Sequence, residues 1–163
     1  MGGHEARTTG HARRSRDVTL DRALLDTAVF VYAVGADHPY RDPCRALLDP
    51  DALDAYGGEA SVQAIQELLH QRTRRTSDRR AAADTALAMA ELCPLHDLTT
   101  ADLRRGLRLF QQHASLNGRD ALHAATALNR GIPTIISPDP DLDHIDGLQR
   151  VDPIAAARML HEP

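Results

Sequence analysis

Ala23-Leu24-Leu25-Asp26-Thr27-Ala28-Val29-Phe30-Val31-Tyr32 runs apolar, meets one acid and turns apolar again. A buried strand that ends on a carboxylate reads this way. Strand one is placed at Arg22 to Asp26, and a short helix over Thr27 to Val34 follows it, capped by Asp26 or Thr27. In an open α/β sheet, ligands bind beyond the carboxyl ends of the strands. An acid at that place stands where chemistry is done, provided other acids fall at equivalent places later in the chain.

Outward from this stretch, helix and strand signals alternate. Pro39 to Leu48 reads as a helix opened by proline, Leu53 to Tyr56 as a short second strand, and Gly57-Gly58 as a turn. Ser61 to Arg74 is a helix with Val62, Ile65, Leu68 and Leu69 on one face, and Ser77 or Asp78 caps another running to Glu91. Leu92 to Asp97 reads as a third strand. Thr100 to Ala114 is a helix with Leu103, Leu107 and Phe110 at helical spacing, broken by Asn117-Gly118. Arg119 to Arg130 is an alanine-rich helix whose small side chains allow close packing on a sheet, ended by Gly131. Pro133 to Ser137 is the clearest strand, β-branched and bounded by breakers. Pro138 to Gly147 is an acidic loop or short helix, Gln149 to Asp152 a last strand, and a short helix follows Pro153. The alternation predicts an α/β fold with a short, mostly parallel sheet flanked by helices.

The 163 residues suit one domain, and 42% hydrophobic content supplies a core without staples. Cys44 and Cys93 lie far apart and fit no metal-ligand spacing; they read as reduced thiols of a cytosolic protein. No apolar run approaches a membrane span and no secretory h-region is visible. All 19 basic residues are arginine, and the net charge of −4 argues against a broadly basic nucleic-acid surface. It leaves room for acids gathered around metal ions. Aromatics at 3% argue against a base-stacking platform.

Three acids stand out by position. Asp26 ends strand one, Asp120 lies in the first turn of the helix after Gly118, and Asp139 lies just beyond the strand Thr134 to Ser137. Each has a plain structural alternative: a helix cap for Asp26, a partner for the helix dipole for Asp120, a turn residue for Asp139. Periodicity alone makes Glu67 a solvent-exposed glutamate opposite the apolar face of its helix. The other metal and nucleophile patterns fail. Asp139-x-Asp141-x-Asp143 begins like an EF-hand, but His144 takes the glycine position and Arg150 the closing glutamate. The histidines show no ligand spacing, and His70, His96, His113 and His123 read as surface or satisfied core residues.

Four segments, in order, resemble the PIN-domain nucleases, and specifically the VapC-type toxins of bacterial toxin–antitoxin pairs. They are Leu25-Asp26-Thr27-Ala28-Val29-Phe30-Val31-Tyr32-Ala33; Gln66-Glu67-Leu68-Leu69; Arg119-Asp120-Ala121-Leu122-His123-Ala124-Ala125-Thr126-Ala127; and Ile136-Ser137-Pro138-Asp139 through Asp143, with Gly147-Leu148 and Val151-Asp152-Pro153 beyond. The resemblance implies a PIN-like three-layer fold. It makes Asp26, Glu67, Asp120 and Asp139 the catalytic, metal-binding acids, with Asp141 a candidate to replace or assist Asp139 and with Thr27 and Ser137 as supporting hydroxyls. Arg119 has two readings, a hold on a substrate phosphate and an exposed arginine. The chain departs from the family at Ala28, where asparagine is frequent, and at Pro138, Pro140 and Leu142 around the closing motif.

Four carboxylates in one cleft repel one another, and hard divalent cations remove that problem. Oxygen-only ligation selects Mg²⁺ or Mn²⁺ over Zn²⁺. Two such ions about 4 Å apart activate a water and stabilise the leaving oxygen of a phosphodiester. The resemblance therefore implies a cytoplasmic, Mg²⁺- or Mn²⁺-dependent endoribonuclease toxin. It would act on structured RNA of the tRNA or rRNA class, be restrained by a cognate VapB-like antitoxin, form a homodimer and have no membrane partner. Two rivals stay open: a PIN nuclease in RNA processing without an antitoxin, and a catalytically inactive PIN-like module that binds RNA or protein. The cluster Arg72, Arg74, Arg75, Arg79 and Arg80 reads as a solvated surface, with a contact to RNA or antitoxin as its alternative. Residues 1–19 read as a disordered tail before a single nuclease domain at 20–163. A start near Val18 and a basic arm touching RNA remain alternatives for that tail.

Overall fold

The computed structural model describes residues 20–160; the expected N-terminal tail lies outside the described residues. Five strands form one parallel sheet in the order β3-β2-β1-β4-β5. They are β1 (Ala23–Leu25), β2 (Gly58–Ser61), β3 (Leu95–His96), β4 (Thr134–Ile136) and β5 (Gln149–Val151). Among the described residues eight helices flank it: α1 (Thr27–Ala33), α2 (Arg41–Leu47), α3 (Pro50–Tyr56), α4 (Val62–Thr76), α5 (Arg79–Ala90), α6 (Thr100–Gln112), α7 (Gly118–Asn129) and α8 (Pro153–Met159). No described helix is long and apolar enough to cross a membrane.

Alternation along the central strands builds two cores. Ala23 and Leu25 of β1, with Ile136 of β4, face a core closed by Val29, Phe30, Leu47, Leu68 and Ala156. Leu24 and Ile135 point the other way, onto Ala121, Ala124 and Ala125 of α7 and Leu109 of α6. The three residues of β1 are fully buried because both sheet faces are covered, which is why the strand reads as an unbroken apolar run. The sheet thus lies between two helical layers. The order switches at β1, whose parallel partners are β2 on one side and β4 on the other. The crevice beyond the carboxyl ends of β1 and β4 is the topological switch point of this sheet.

Two expected elements are displaced. Leu53 to Tyr56 is the end of helix α3, not a strand. Asp49 caps that helix with its carboxylate, Pro50 occupies its first turn and Gly57 ends it at φ 64°. β2 begins one residue later, at Gly58, where a Cβ would stand 2.4 Å from Leu53 Cδ2. Four apolar or aromatic residues in seven look alike in a short strand and a short helix, and here the cap signals decide. On α6 the apolar spacing points outward: Leu103, Leu107 and Phe110 are exposed, while Asp102, Gly106 and Leu109 are buried against α7.

Asp102 holds that inner face together. Its carboxylate accepts from Thr99 N at 2.9 Å, Thr99 Oγ1 at 2.8 Å, Asn129 Nδ2 at 2.8 Å and Arg130 Nη1 at 2.9 Å. Burial pushes the carboxyl up, but these bonds outweigh it and hold it far below the usual range. Asp102→Ala would strand the Arg130 charge and open the α6 capping box. We expect a loss of about 3–5 kcal/mol, read as a melting temperature lower by about 10 °C. An unchanged melt would refute this account of the α6–α7 pair.

Candidate active site

The strand ends and helix starts deliver their acids to one cleft of about 530 Å³, lined by Asp26, Glu67, Asp120 and Asp139 among others. Asp26 follows β1 and occupies the cap position of α1, yet its carboxylate makes no capping bond. It turns instead toward Ser137, whose hydroxyl donates to Asp26 Oδ2 at 2.6 Å. The same Ser137 Oγ accepts from the Asp139 backbone N–H at 3.1 Å, so one buried hydroxyl ties two acids from adjacent strand ends. Arg150 Nη1 donates to the Ser137 carbonyl at 3.0 Å and braces this turn while paired with Asp143.

Asp120 enters from the first turn of α7. Asn117 caps that helix, its Oδ1 accepting from the backbone N–H groups of Arg119 and Asp120 at 2.9 and 3.0 Å, while its amide donates to Asp120 Oδ2. Glu67 comes from α4, on a polar stripe with Gln63, Gln71 and Arg75 at four-residue spacing. Gln63 Nε2 donates to Glu67 Oε1 at 2.9 Å and Thr27 Oγ1 donates to Glu67 Oε2 at 3.0 Å. Glu67 is therefore not the exposed glutamate that periodicity predicts: its side chain is 12% exposed. Val62 and Leu69, expected in the core, are 38% and 37% exposed, and Ala64 and Leu68 make the buried line instead.

Behind these acids lies His123, one turn along α7 from Asp120 and 1% exposed. Its Nε2 is 3.2 Å from Thr27 Oγ1 and its Nδ1 3.4 Å from Ser61 Oγ. Because Thr27 donates its proton to Glu67, its oxygen is left to accept, so Nε2 carries a hydrogen. Nε2 also lies 3.8 Å from Asp26 Oδ1 and 3.9 Å from Glu67 Oε2. Burial pushes the imidazole pKa down, but its contact with Glu67 and the charges of Asp26, Glu67 and Asp120 outweigh that and raise it. For Glu67, burial pushes up while His123, Gln63 and Thr27 hold the carboxyl down, at about 2. For Asp120, burial and then the charges of Asp26 and Asp139 push the carboxyl up to about 6, against a weaker pull from His123 and Asn117. One acid of the group thus resists ionisation, first because it is buried and then because other carboxylates stand beside it.

All four expected acids come together, and so do both supporting hydroxyls. Arg119 is exposed and lines the cleft; Asp141 is not among the lining residues, and its backbone N–H donates to Asp139 Oδ1 in the 3-10 turn Pro140–Leu142. Three supporting residues escaped the sequence reading. Asn117 was legible as a cap three residues before Asp120, and His123 shares a helix face with Asp120 at that same spacing. Gln63 lies one turn before Glu67. Of the arginine cluster, Arg74 and Arg75 line a hollow of about 550 Å³ that shares Gln71, Arg75 and Arg119 with the acid cleft.

The donor set is all oxygen and anionic, which suits a hard divalent cation. Among the described residues no three His, Cys, Asp or Glu side chains close into a ready-made ion cage. Mg²⁺ needs none, because it retains several waters and takes one or two carboxylates.

The family profile described as PIN domain matches residues 23–148. Over 134 residues the chain is 37% identical to Ribonuclease VapC7 of Mycobacterium tuberculosis, covering 82% of this chain and 92% of that protein. Over 121 residues it is 35% identical to Ribonuclease VapC23 of the same species, covering 73% and 94%. Among solved structures it is similar in fold to a toxin–antitoxin complex from Klebsiella pneumoniae, with TM-score 0.59, 19% identity, and 80% of this chain and 97% of that one covered. VapBC2 from Rickettsia felis, bound to a DNA fragment from its promoter, gives TM-score 0.61 and 14% identity over 80% and 97%. The sarcin–ricin loop cleaving toxin VapC20 of Mycobacterium tuberculosis gives 0.55 and 17% over 69% and 86%.

Proposed function

The chain belongs to the PIN-domain family, and from that premise we propose that it is an endoribonuclease toxin of the VapC type, held in check by a cognate VapB-like antitoxin. The observation that carries this reading is the gathering of Asp26, Glu67, Asp120 and Asp139 in one cleft, where Asp120 is pushed up to about 6 by burial and its charged neighbours. A site that raises the pKa of its own ligand is one organised for positive charge. Relatives named ribonucleases at 35–37% identity support the activity. A neighbour that is a toxin–antitoxin complex supports the partner.

In this reading Asp26, Asp120 and Asp139 hold Mg²⁺ or Mn²⁺, and Glu67 holds a second ion or orients the attacking water. The bound metal supplies charge stabilisation and a more acidic water for in-line hydrolysis of the RNA phosphodiester. The cleft position of Asp139, which Asp141 does not share, favours Asp139 as the fourth acid. Ser137 positions Asp26 and Asp139 together. Thr27 and His123 keep the Glu67 carboxylate charged and fixed in direction, so that it can accept a hydrogen from water. Asp120 must give up its proton before it can bind metal. Arg119 offers a hold on a substrate phosphate.

We place the protein in the cytoplasm, acting on structured RNA of the tRNA or rRNA class, with residues 20–163 as its single nuclease domain. The exposed strip Leu103, Leu107 and Phe110 on α6 supports a homodimer. The reading is tested by incubating the purified chain with total cellular RNA in Mg²⁺, in Mn²⁺ and in EDTA. Discrete fragments in metal and intact RNA in EDTA are expected. Intact RNA in every condition, from folded protein, would move the assignment to an inactive PIN-like binding module.

A further inference from the structure

Aromatic residues are scarce in this chain, with three tyrosines, two phenylalanines and no tryptophan. Two of the three tyrosines nevertheless line the acid cleft. Tyr32 stands on the face of α1 that also brings Ala28 and Val31 to the cleft, and Tyr40 is the cap residue of α2. With His38 they form one cluster. The Tyr32 and His38 rings stack with centroids 4.5 Å apart and planes 24° from parallel. Tyr40 lies 5.1 Å from Tyr32 and 5.6 Å from His38. The Tyr40 hydroxyl donates to Asp152 Oδ2 at 2.6 Å, which anchors that ring from behind. Both tyrosines are half-buried and His38 is exposed, so the rings are held by one another and by α1 and α2 without being sealed in a core.

The cleft is not symmetric about its acids. Past Gln71 it continues into the hollow lined by His70, Arg74, Arg75 and Arg119. The cleft and this hollow together offer a ligand aromatic rings, carboxylates and arginines. A polynucleotide has matching parts in its bases and its phosphates. We propose that Tyr32 and Tyr40, with His38 stacked on Tyr32, form a stacking platform for one unpaired nucleobase beside the scissile phosphate, while Arg75 and Arg119 take backbone phosphates where the cleft opens into that hollow. This rests on the ribonuclease reading above and deepens it. The low overall aromatic content argued against such a platform, but a count over the chain says nothing about how residues cluster. A base already paired and stacked in a duplex cannot also stack on a protein ring, so the platform selects a loop or single-stranded segment at the cut. Stacking is tolerant of base identity because every base has a π-face, so shape and pairing state would matter more than letter.

The test uses the full chain carrying Asp26→Asn, in EDTA, and a fluorescent single-stranded decamer. Anisotropy is measured with the intact decamer and with an abasic residue moved through each position. One or two abasic positions should weaken binding about 5- to 100-fold, the range of single base–aromatic stacks. Tyr32→Leu should weaken the intact decamer by a similar factor and lose nothing further on the decamer abasic at that position, whereas Tyr32→Phe should keep the affinity. Indifference to every abasic position overturns the platform, and that measurement needs no change at the rings. Equal losses for Tyr32→Leu on intact and abasic RNA overturn it too. Should Tyr32→Leu weaken capture of a protein partner while leaving RNA affinity unchanged, the rings serve a partner's side chain and the proposal is lost. Cleavage by the unsubstituted chain in Mn²⁺ is read separately. Cleavage without any abasic effect removes the platform alone; neither cleavage nor binding removes the ribonuclease reading and the platform with it.

Discussion

Asp26→Asn is expected to lower RNA cleavage at least about a thousandfold, which corresponds to roughly 4 kcal/mol of lost transition-state stabilisation. The substitution takes one negative charge from the centre of the cleft and changes little else. Asp26 makes no capping bond to α1, so no helix end is exposed by losing the carboxylate. The amide oxygen of asparagine can still accept from Ser137 Oγ, the contact that runs at 2.6 Å to the native carboxylate. Its flank remains sealed by β1, whose three residues are fully buried. The folded state should therefore survive, and circular dichroism and the thermal melt should match the native protein or improve on it. Asp26→Ala is a poorer test because it leaves the buried Ser137 hydroxyl without its acceptor. Discrete cleavage of total RNA is the readout, with both proteins at equal concentration in Mn²⁺. Full activity in Asp26→Asn would end the proposed mechanism.

The fold was legible in the sequence wherever burial on both faces wrote it plainly. Ala23-Leu24-Leu25 and Thr134-Ile135-Ile136 are apolar or β-branched without alternation, as interior parallel strands must be, and both are central in the sheet. Leu53 to Tyr56 misled because a one-turn apolar cluster has no period to measure, and the deciding information sat outside it, in Asp49, Pro50 and Gly57. On α6 the visible apolar spacing belonged to the outer face. The inner face is carried by Asp102, a charged residue that composition assigns to solvent and that four hydrogen bonds make tolerable inside.

The candidate site was legible for a different reason. Asp26, Asp120 and Asp139 stand at a strand end, a helix start and a strand end, positions that an α/β sheet collects along one edge. Glu67 had no such signal. Its wheel position pointed to solvent, and only the resemblance to a family selected it. The structure shows what periodicity cannot see: α1 packs by that face of α4, so residues 67, 71 and 75 of the supposed outer stripe form the wall of a cleft. His123 has two readings in the sequence, surface or satisfied core, and the structure makes it the second. That its partners are the site's own Thr27 and, through it, Glu67 depends on contacts 96 and 40 residues apart in sequence.

The electrostatics of this cleft carry the second large expectation, that the metal-free protein is most stable near pH 4.5 and that Asp120→Asn stabilises it at neutral pH. Asp120 titrates at about 6 in the fold, above its ordinary value. The folded state therefore holds that proton more tightly than the unfolded chain does, and stability falls as pH rises from about 4 to 6. The full cost above pH 6 is on the order of 3 kcal/mol. His123 acts in the same sense: its pKa is raised, so its contribution is present below about 6.5 and is lost as pH climbs through the folded value. Glu67 and Asp102 act oppositely. Both are depressed, Glu67 to about 2, so their contributions are present above about 4.5 and fade as the solution turns more acid. The two slopes meet near pH 4.5. Replacing Asp120 with asparagine keeps an acceptor for the Asn117 amide and removes the charge that Asp26 and Asp139 oppose. At pH 7.5 in EDTA the variant should melt about 5–10 °C above the native protein, from about 2–3 kcal/mol of relieved charge burial and repulsion. Adding Mn²⁺ should raise the melt of the native protein, which binds it only when folded, and should do far less for the variant. Binding to the native protein should also strengthen as pH rises through about 6, where Asp120 yields its proton, and level off above it. A native melt that is flat from pH 5 to 7.5, together with a variant no more stable than the native chain, would show that these acids do not share a field. The case for a common metal centre would fall with it.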